Sequence, residues 1–142
     1  MVFFDNIRFD KSKCSSTIEK IMEIDESIIE RVWEKGTIVE GVDPAMFRKD
    51  FAGAMILRSA YGRRDIPMGW EIDYLKPKSK GGIDELNNLI PIQWENNVIK
   101  SDNYPIWHSS VTFRNNSNSY EKNIWLAIET SNGIKLLRSK FY

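Results

Sequence analysis

Cysteine and histidine are almost missing from this sequence, with Cys14 and His108 the single representatives among 142 residues. One thiol excludes an internal disulfide framework and any zinc knuckle built from cysteine pairs, so no structural zinc is expected. A lone thiol also suits a reducing compartment. No apolar run approaches the roughly 18 residues that a membrane helix needs. The opening Met1-Val2-Phe3-Phe4 passes at once into Asp5 and Arg8, which is no secretory signal. The expectation is a soluble, cytoplasmic protein with no membrane partner. Charge of one sign is absent too: 20 Lys plus Arg balance 20 Asp plus Glu. Taken alone, that balance argues against a nucleic-acid binder. What is present is 42% apolar residues. A chain of this length buries roughly two-thirds of its unfolded surface, which predicts one domain over residues 1–142.

The charge is unevenly distributed. Residues 1–47 carry 6 basic and 10 acidic side chains, residues 48–80 carry 8 and 4, and residues 81–142 carry 6 and 6. The basic middle block holds Arg48, Lys49, Arg58, Arg63, Arg64, Lys76, Lys78 and Lys80 among Tyr61, Trp70 and Tyr74. Such a block can follow a phosphate backbone, although solvated surface charge is the ordinary role of these residues.

Ser16-Thr17-Ile18-Glu19 reads as a capping box opening a helix with Ile18, Ile21 and Met22 on one face. Ile28, Ile29, Val32 and Trp33 predict a second helix over Ser27 to Lys35, stopped by Gly36. Glu19, Glu23, Glu26, Glu30 and Glu34 give this helical part, about 15–50, an acidic outer face on which a protein partner could dock. Asp43-Pro44 predicts a short helix through about Phe47. Strands are expected over Ala52 to Arg58, Trp70 to Leu75 and Leu89 to Ile92, with turns at 61–65 and 77–82, and then a helix from Gln93 to about Ser101. The polar stretch from Phe113 to Asn123 is expected to be a loop. Asn123 to Glu129 and Gly133 to Leu137 then form a closing C-terminal β-hairpin. The fold class is α+β.

Chemistry concentrates between residues 69 and 102. Asp73 stands at a strand end, Pro77-x-Ser79-x-Gly81-Gly82 follows, then Asn88-Leu89, and the helix runs into Asn97-x-x-Lys100-Ser101-Asp102. The separations are 15 residues from Asp73 to Asn88 and 9 from Asn88 to Asn97. A strand end and the first turns of a following helix can aim the oxygens of Asp73 and Asn97 at one point. That suits Mg²⁺ or Mn²⁺, which take hard oxygen ligands and keep several waters. A single Asp or Asn is ordinarily a cap or turn residue; the joint spacing is what singles these out. Trp70, Ile72, Leu89, Ile92, Trp94 and Val98 are expected in the core.

This segment resembles the HNH endonuclease family, and the spacing is similar to that of the HNH domains of RNA-guided DNA nucleases. The resemblance covers about 50–105. It implies a β-hairpin and helix around one divalent metal, the ββα-metal fold, and a hydrolase acting on DNA phosphodiester bonds. It further implies that Asp73 and Asn97 hold the metal, and that Asn88 is no ligand but pins the long loop of the catalytic hairpin through side-chain to backbone hydrogen bonds. Arg63, Arg64, Lys76, Lys78, Lys80 and Lys100 can meet phosphates of double-stranded DNA. Glu71, two residues before Asp73 and so on the same strand face, is a third ligand or a support to the first two.

One element departs from the family pattern: Tyr74 stands where the family has its water-activating histidine. Neutral imidazole, with a pKa near 6.5, is a base at pH 7. A phenol with a pKa of about 10 is ionised there at roughly one part in a thousand. Nearby Lys78, Arg63 or a metal would have to lower that value for Tyr74 to serve as base. His108, beyond the motif helix, is the other candidate base, and a structural role is its ordinary one. Three readings follow: a metal-dependent endonuclease with impaired activity, an inactive HNH-fold domain kept for nucleic-acid or protein binding, and an interaction protein using its acidic helices.

Overall fold

The computed structural model describes residues 24–139. The helix expected from the capping box at Ser16 lies outside the described residues. The described chain is mixed α+β, with two helices and three small antiparallel sheets. None of its helices is long and apolar enough to cross a membrane.

Helix α1 spans Glu26–Trp33 and opens on Asp25, whose Oδ1 accepts from Ile28 N at 3.0 Å. A carboxylate in that position satisfies one of the helix's unpaired amides. Val32 and Trp33 are fully buried, with Ile24, Ile28 and Ile29 packed beside them. On the outer face Arg58 pairs with Glu26 at 2.6 Å and Glu30 at 3.0 Å, so the acidic stripe is partly neutralised from within.

The Asp43-Pro44 helix is a single turn. Met46 N and Phe47 N both donate to Asp43 O, and Phe47 then enters strand β1, Phe47–Lys49. Strand β2 is shorter than expected, Met55–Leu57, because Ala52 and Gly53 belong to the turn that joins it to β1. Asp50 shapes that turn: its Oδ1 accepts from Ala52 N and Ala54 N, both at 2.9 Å.

Strands β3, Trp70–Tyr74, and β4, Leu89–Gln93, pair antiparallel with Trp70 opposite Gln93 and Tyr74 opposite Leu89. Helix α2, Trp94–Lys100, follows directly, capped by Gln93 Oε1 on Glu95 N and Asn96 N. Strand β3 gives Trp70 and Ile72 to one apolar cluster, which also holds Val32, Trp33, Ile56 and Leu89. Trp33 and Trp70 meet with ring centroids 5.2 Å apart. A second cluster gathers Leu75, Ala52, Trp107, Trp125 and Ala127, with Phe51 and Ile90 at its border. Val98 was expected in the core but is 51% exposed on the outer side of α2.

The stretch from Phe113 to Asn123 is not a loop. It is the junction of β5, Ile106–Arg114, and β6, Ser117–Thr130, which pair with β7, Gly133–Ser139, in one three-stranded sheet. Asn115 and Asn116, at φ 52 and 66, form the two-residue turn between Arg114 and Ser117. Asparagine tolerates the left-handed region that such a hairpin turn demands. The polar character of the segment reflects solvated strands rather than missing structure. The C-terminal hairpin is present, with Thr130 opposite Gly133 across Ser131-Asn132, and forms two-thirds of that sheet.

Candidate functional site

The β3–β4 hairpin carries a 14-residue connection, Leu75 to Asn88, whose two ends are tied together. Leu75 N donates to Asn88 O at 2.8 Å. Asn88 Oδ1 accepts from Lys76 N at 2.9 Å, and its Nδ2 donates to Lys76 O and Ile83 O, both at 3.0 Å. Asn88 thus spends its whole amide on the backbone of the loop. Gly82 is required at the crossing point, since a Cβ there would stand 1.7 Å from Lys76 O. Gly81 adopts φ 96, a region open to glycine at little cost.

Alternation along β3 puts Glu71 and Asp73 on one face, toward α2. On α2 the positions i and i+3, Asn97 and Lys100, share the side that meets them. Asn97 Nδ2 donates to Glu71 Oε1 at 2.7 Å. Lys100 Nζ stands 3.6 Å from Asp73 Oδ2 and 3.3 Å from Tyr74 O, and lies 5.1 Å from the centre of the Trp107 ring. Glu71 is 5% exposed and holds a two-pronged ion pair with Arg64: Nε to Oε2 at 2.5 Å and Nη2 to Oε1 at 2.8 Å. The structure therefore brings four carboxylate, amide and ammonium groups onto one buried layer, with Arg64 closing it toward solvent.

Burial governs the protonation of this layer. It raises Asp73 above the ordinary carboxylate range, against the pull of Lys100, and it lowers Lys100 below the ordinary ammonium range, against the pull of Asp73. Lys100 has no exposed surface, so it cannot meet a phosphate as expected from the sequence; its ammonium is consumed inside the fold.

Asp73 Oδ2 is buried and accepts no hydrogen bond, since Lys100 stays beyond hydrogen-bond reach. That oxygen has the Lys100 ammonium as its ion-pair partner, and without a hydrogen bond it still gains from a closer donor or cation. A hard cation is such a partner, so the donors present fit Mg²⁺ or Mn²⁺. Among the described residues no group of three or more His, Cys, Asp or Glu converges on one point. An ion here would be held by Asp73 and Asn97 alone and keep most of its water, as Mg²⁺ commonly does.

Tyr74 continues the Trp70–Ile72 face of β3, and its ring packs against the first apolar cluster. Its hydroxyl donates to Asp84 Oδ1, while Lys78 binds the other oxygen of Asp84 at 2.8 Å. Burial, the hydrogen bond to Asp84 and the charges of Asp84 and Asp73 all push the phenol well above its ordinary pKa. A base would need the opposite shift. Lys78 lies 5.9 Å over the Tyr74 ring, but its charge goes to Asp84, and Arg63 is taken by Asp65 at 2.6 Å. His108 lies opposite Ile124, on the face of β5 turned away from Trp107 and hence from Lys100.

The remaining candidate phosphate contacts, Lys76 and Lys80, differ. Lys76 pairs with Glu129 at 2.9 Å, whereas Lys80 makes no ion pair among the described residues. Asp84 and Glu129 come from the even tail, and Glu26 and Glu30, which hold Arg58, from the acidic front, so the basic block's positive excess is met partly from either side. Two groups had no signal in the sequence: Asp84, because the loop path alone brings it to Tyr74, and the buried pair Asp50 and Asn96 that anchors α2. Asp50 Oδ2 accepts from Gln93 N at 2.9 Å and Asn96 Nδ2 at 3.1 Å. Asn96 Oδ1 in turn accepts from Ser110 N and Val111 N at 2.8 and 2.9 Å, where β5 bulges. No family model, curated protein or solved structure matches the chain.

Proposed function

We propose that the chain is a metal-dependent endonuclease of the HNH kind acting on DNA, slowed by the loss of its base at Tyr74. The observation that carries this reading is Asp73 Oδ2, buried without a hydrogen bond on the face of β3 that meets α2, the helix that also carries Asn97, with Lys100 Nζ 3.6 Å away. Asp73 and Asn97 would hold the ion. When bound, it would polarise a phosphate oxygen and stabilise the departing alkoxide. Lys100 reduces the negative charge that Asp73 would otherwise present to an approaching phosphate. Arg64 spends only one edge of its guanidinium on Glu71, and with a half-exposed side chain it can offer its remaining N–H groups to the nucleic acid. Asn88, Gly81 and Gly82 keep the loop shaped above the hairpin. Tyr74 retains its own proton, so the attacking water must lose its proton without help from that position. General-base assistance is worth about 10²–10⁴ in rate, which sets the size of the deficit.

Supercoiled plasmid with Mg²⁺ or Mn²⁺ tests this directly. Slow nicking by the wild type, nicking faster by about 10²-fold or more in Tyr74→His, and none in Asp73→Ala is the expected pattern. If Asp73→Ala cuts as well as the wild type, the assignment is wrong. A second reading, an HNH-fold domain that binds nucleic acid without cutting it, is favoured by the Tyr74–Asp84 hydrogen bond. It predicts DNA retention at low salt with no nicking by either the wild type or Tyr74→His.

A further inference from the structure

The sequence leaves Glu71 open as a third metal ligand, but its surroundings give it other work. Its Oε2 faces Arg64 Nε, and its Oε1 faces both Arg64 Nη2 and Asn97 Nδ2. Arginine offers only donors, and a carboxylate paired with it offers only acceptors. An asparagine amide can rotate by a half-turn and exchange its oxygen for its nitrogen. Against an arginine-held carboxylate only one of those two states makes a hydrogen bond, the one with Nδ2 toward Glu71. Oδ1 of Asn97 is then the end left to face away, and a divalent cation accepts oxygen and rejects an NH₂ group.

We propose that Glu71, held by Arg64, is a positioning residue that locks the Asn97 amide with its oxygen toward the cation site, and is not itself a ligand. The inference rests on the metal reading of Asp73 and Asn97. The spacing serves both pairs at once: residues 71 and 73 on one strand face meet residues 97 and 100 on one helix face. Glu71 and Lys100 thereby act on the two candidate ligands from either end of the layer. Lys100 faces the Asp73 carboxylate, and Glu71 faces the Asn97 amide.

The test is Mn²⁺ titration of the purified protein followed by electron paramagnetic resonance, with circular dichroism on every variant. The wild type binds saturably and Asp73→Ala does not. Glu71→Gln, close to isosteric, leaves the Asn97 amide free to present either end, and weakens Mn²⁺ by about 10- to 100-fold, the range for groups that orient ligands. The double variant Glu71→Gln/Asn97→Asp restores binding to the wild-type level, because an aspartate presents oxygen whichever way it turns. A purely structural role for Glu71 would show no such rescue. Glu71→Gln binding as the wild type does, or a double variant as weak as Glu71→Gln, overturns the positioning role. So does loss in Glu71→Gln as complete as in Asp73→Ala without rescue, which would make Glu71 a ligand. A wild type that takes up no Mn²⁺ overturns the proposed function instead.

Discussion

In the function we propose, Tyr74 is the one side chain that separates binding from turnover. Its hydroxyl is a donor committed to Asp84, and burial compounds the effect. Because the phenol's folded-state pKa is raised above the unfolded value of about 10, it favours the folded state fully below pH 10. That contribution is lost as the pH climbs through the folded value. At pH 11, therefore, Tyr74→Phe should lose less phenolate absorbance at 295 nm than one ordinary tyrosine contributes; a deficit of one full tyrosine in the variant would show that Tyr74 ionises normally. The role of Asn88 was legible only through the family resemblance, and its three hydrogen bonds, to backbone 5 and 12 residues away, tie the loop as that resemblance implies. The role of Lys100 was not legible. Its burial depends on Trp107 and on the Tyr74 carbonyl, which chain spacing does not bring together, and a lysine in a motif otherwise reads as a surface cation.

At the level of elements, α2 has only seven residues, too few to stand alone, and draws its stability from partners. Asn96 is the principal one. It is fully buried and joins the β1–β2 turn, through Asp50, to the Ser110 and Val111 amides at the β5 bulge. Asn96→Ala strands those amides and the Val111 carbonyl, so a loss of about 3–5 kcal/mol is expected from urea unfolding. A loss under 1 kcal/mol would mean that the bulge finds other partners. The hairpin β3–β4 was readable from its alternation and its turn residues, whereas α2 buries Asn96, Asn97 and Lys100 and exposes Val98, so its place was legible from the spacing of the motif and not from apolar periodicity. Strand β5 and the first half of β6 were hidden because Asn115 to Ser119 reads as a polar loop, although two adjacent asparagines are also the residues that a tight hairpin turn selects.

For the molecule as a whole, charge pairing matters more than charge count. Arg63, Arg64, Lys76, Lys78 and Lys100 each stand within 4.0 Å of a carboxylate, at Asp65, Glu71, Glu129, Asp84 and Asp73. A nucleic acid must compete with those carboxylates for each cation. The slope of log affinity against log salt should accordingly be shallow, about −1 to −3 for one to three phosphates neutralised. Fluorescence anisotropy with a labelled duplex between 50 and 200 mM salt measures it. A slope near −6 would require the ion pairs to open on binding.

The β3–β4 hairpin has an apolar cluster on one face and the Glu71–Asp73 row on the other. A pleated strand repeats every two residues, so sliding β3 by one would exchange the two faces and set carboxylates against Trp33. No partial slip is tolerable, and no slightly misaligned site exists for the chain to fall into. Assembly of the candidate site is thereby made digital: it forms together with the tryptophan core or does not form, and heating should abolish both in a single step.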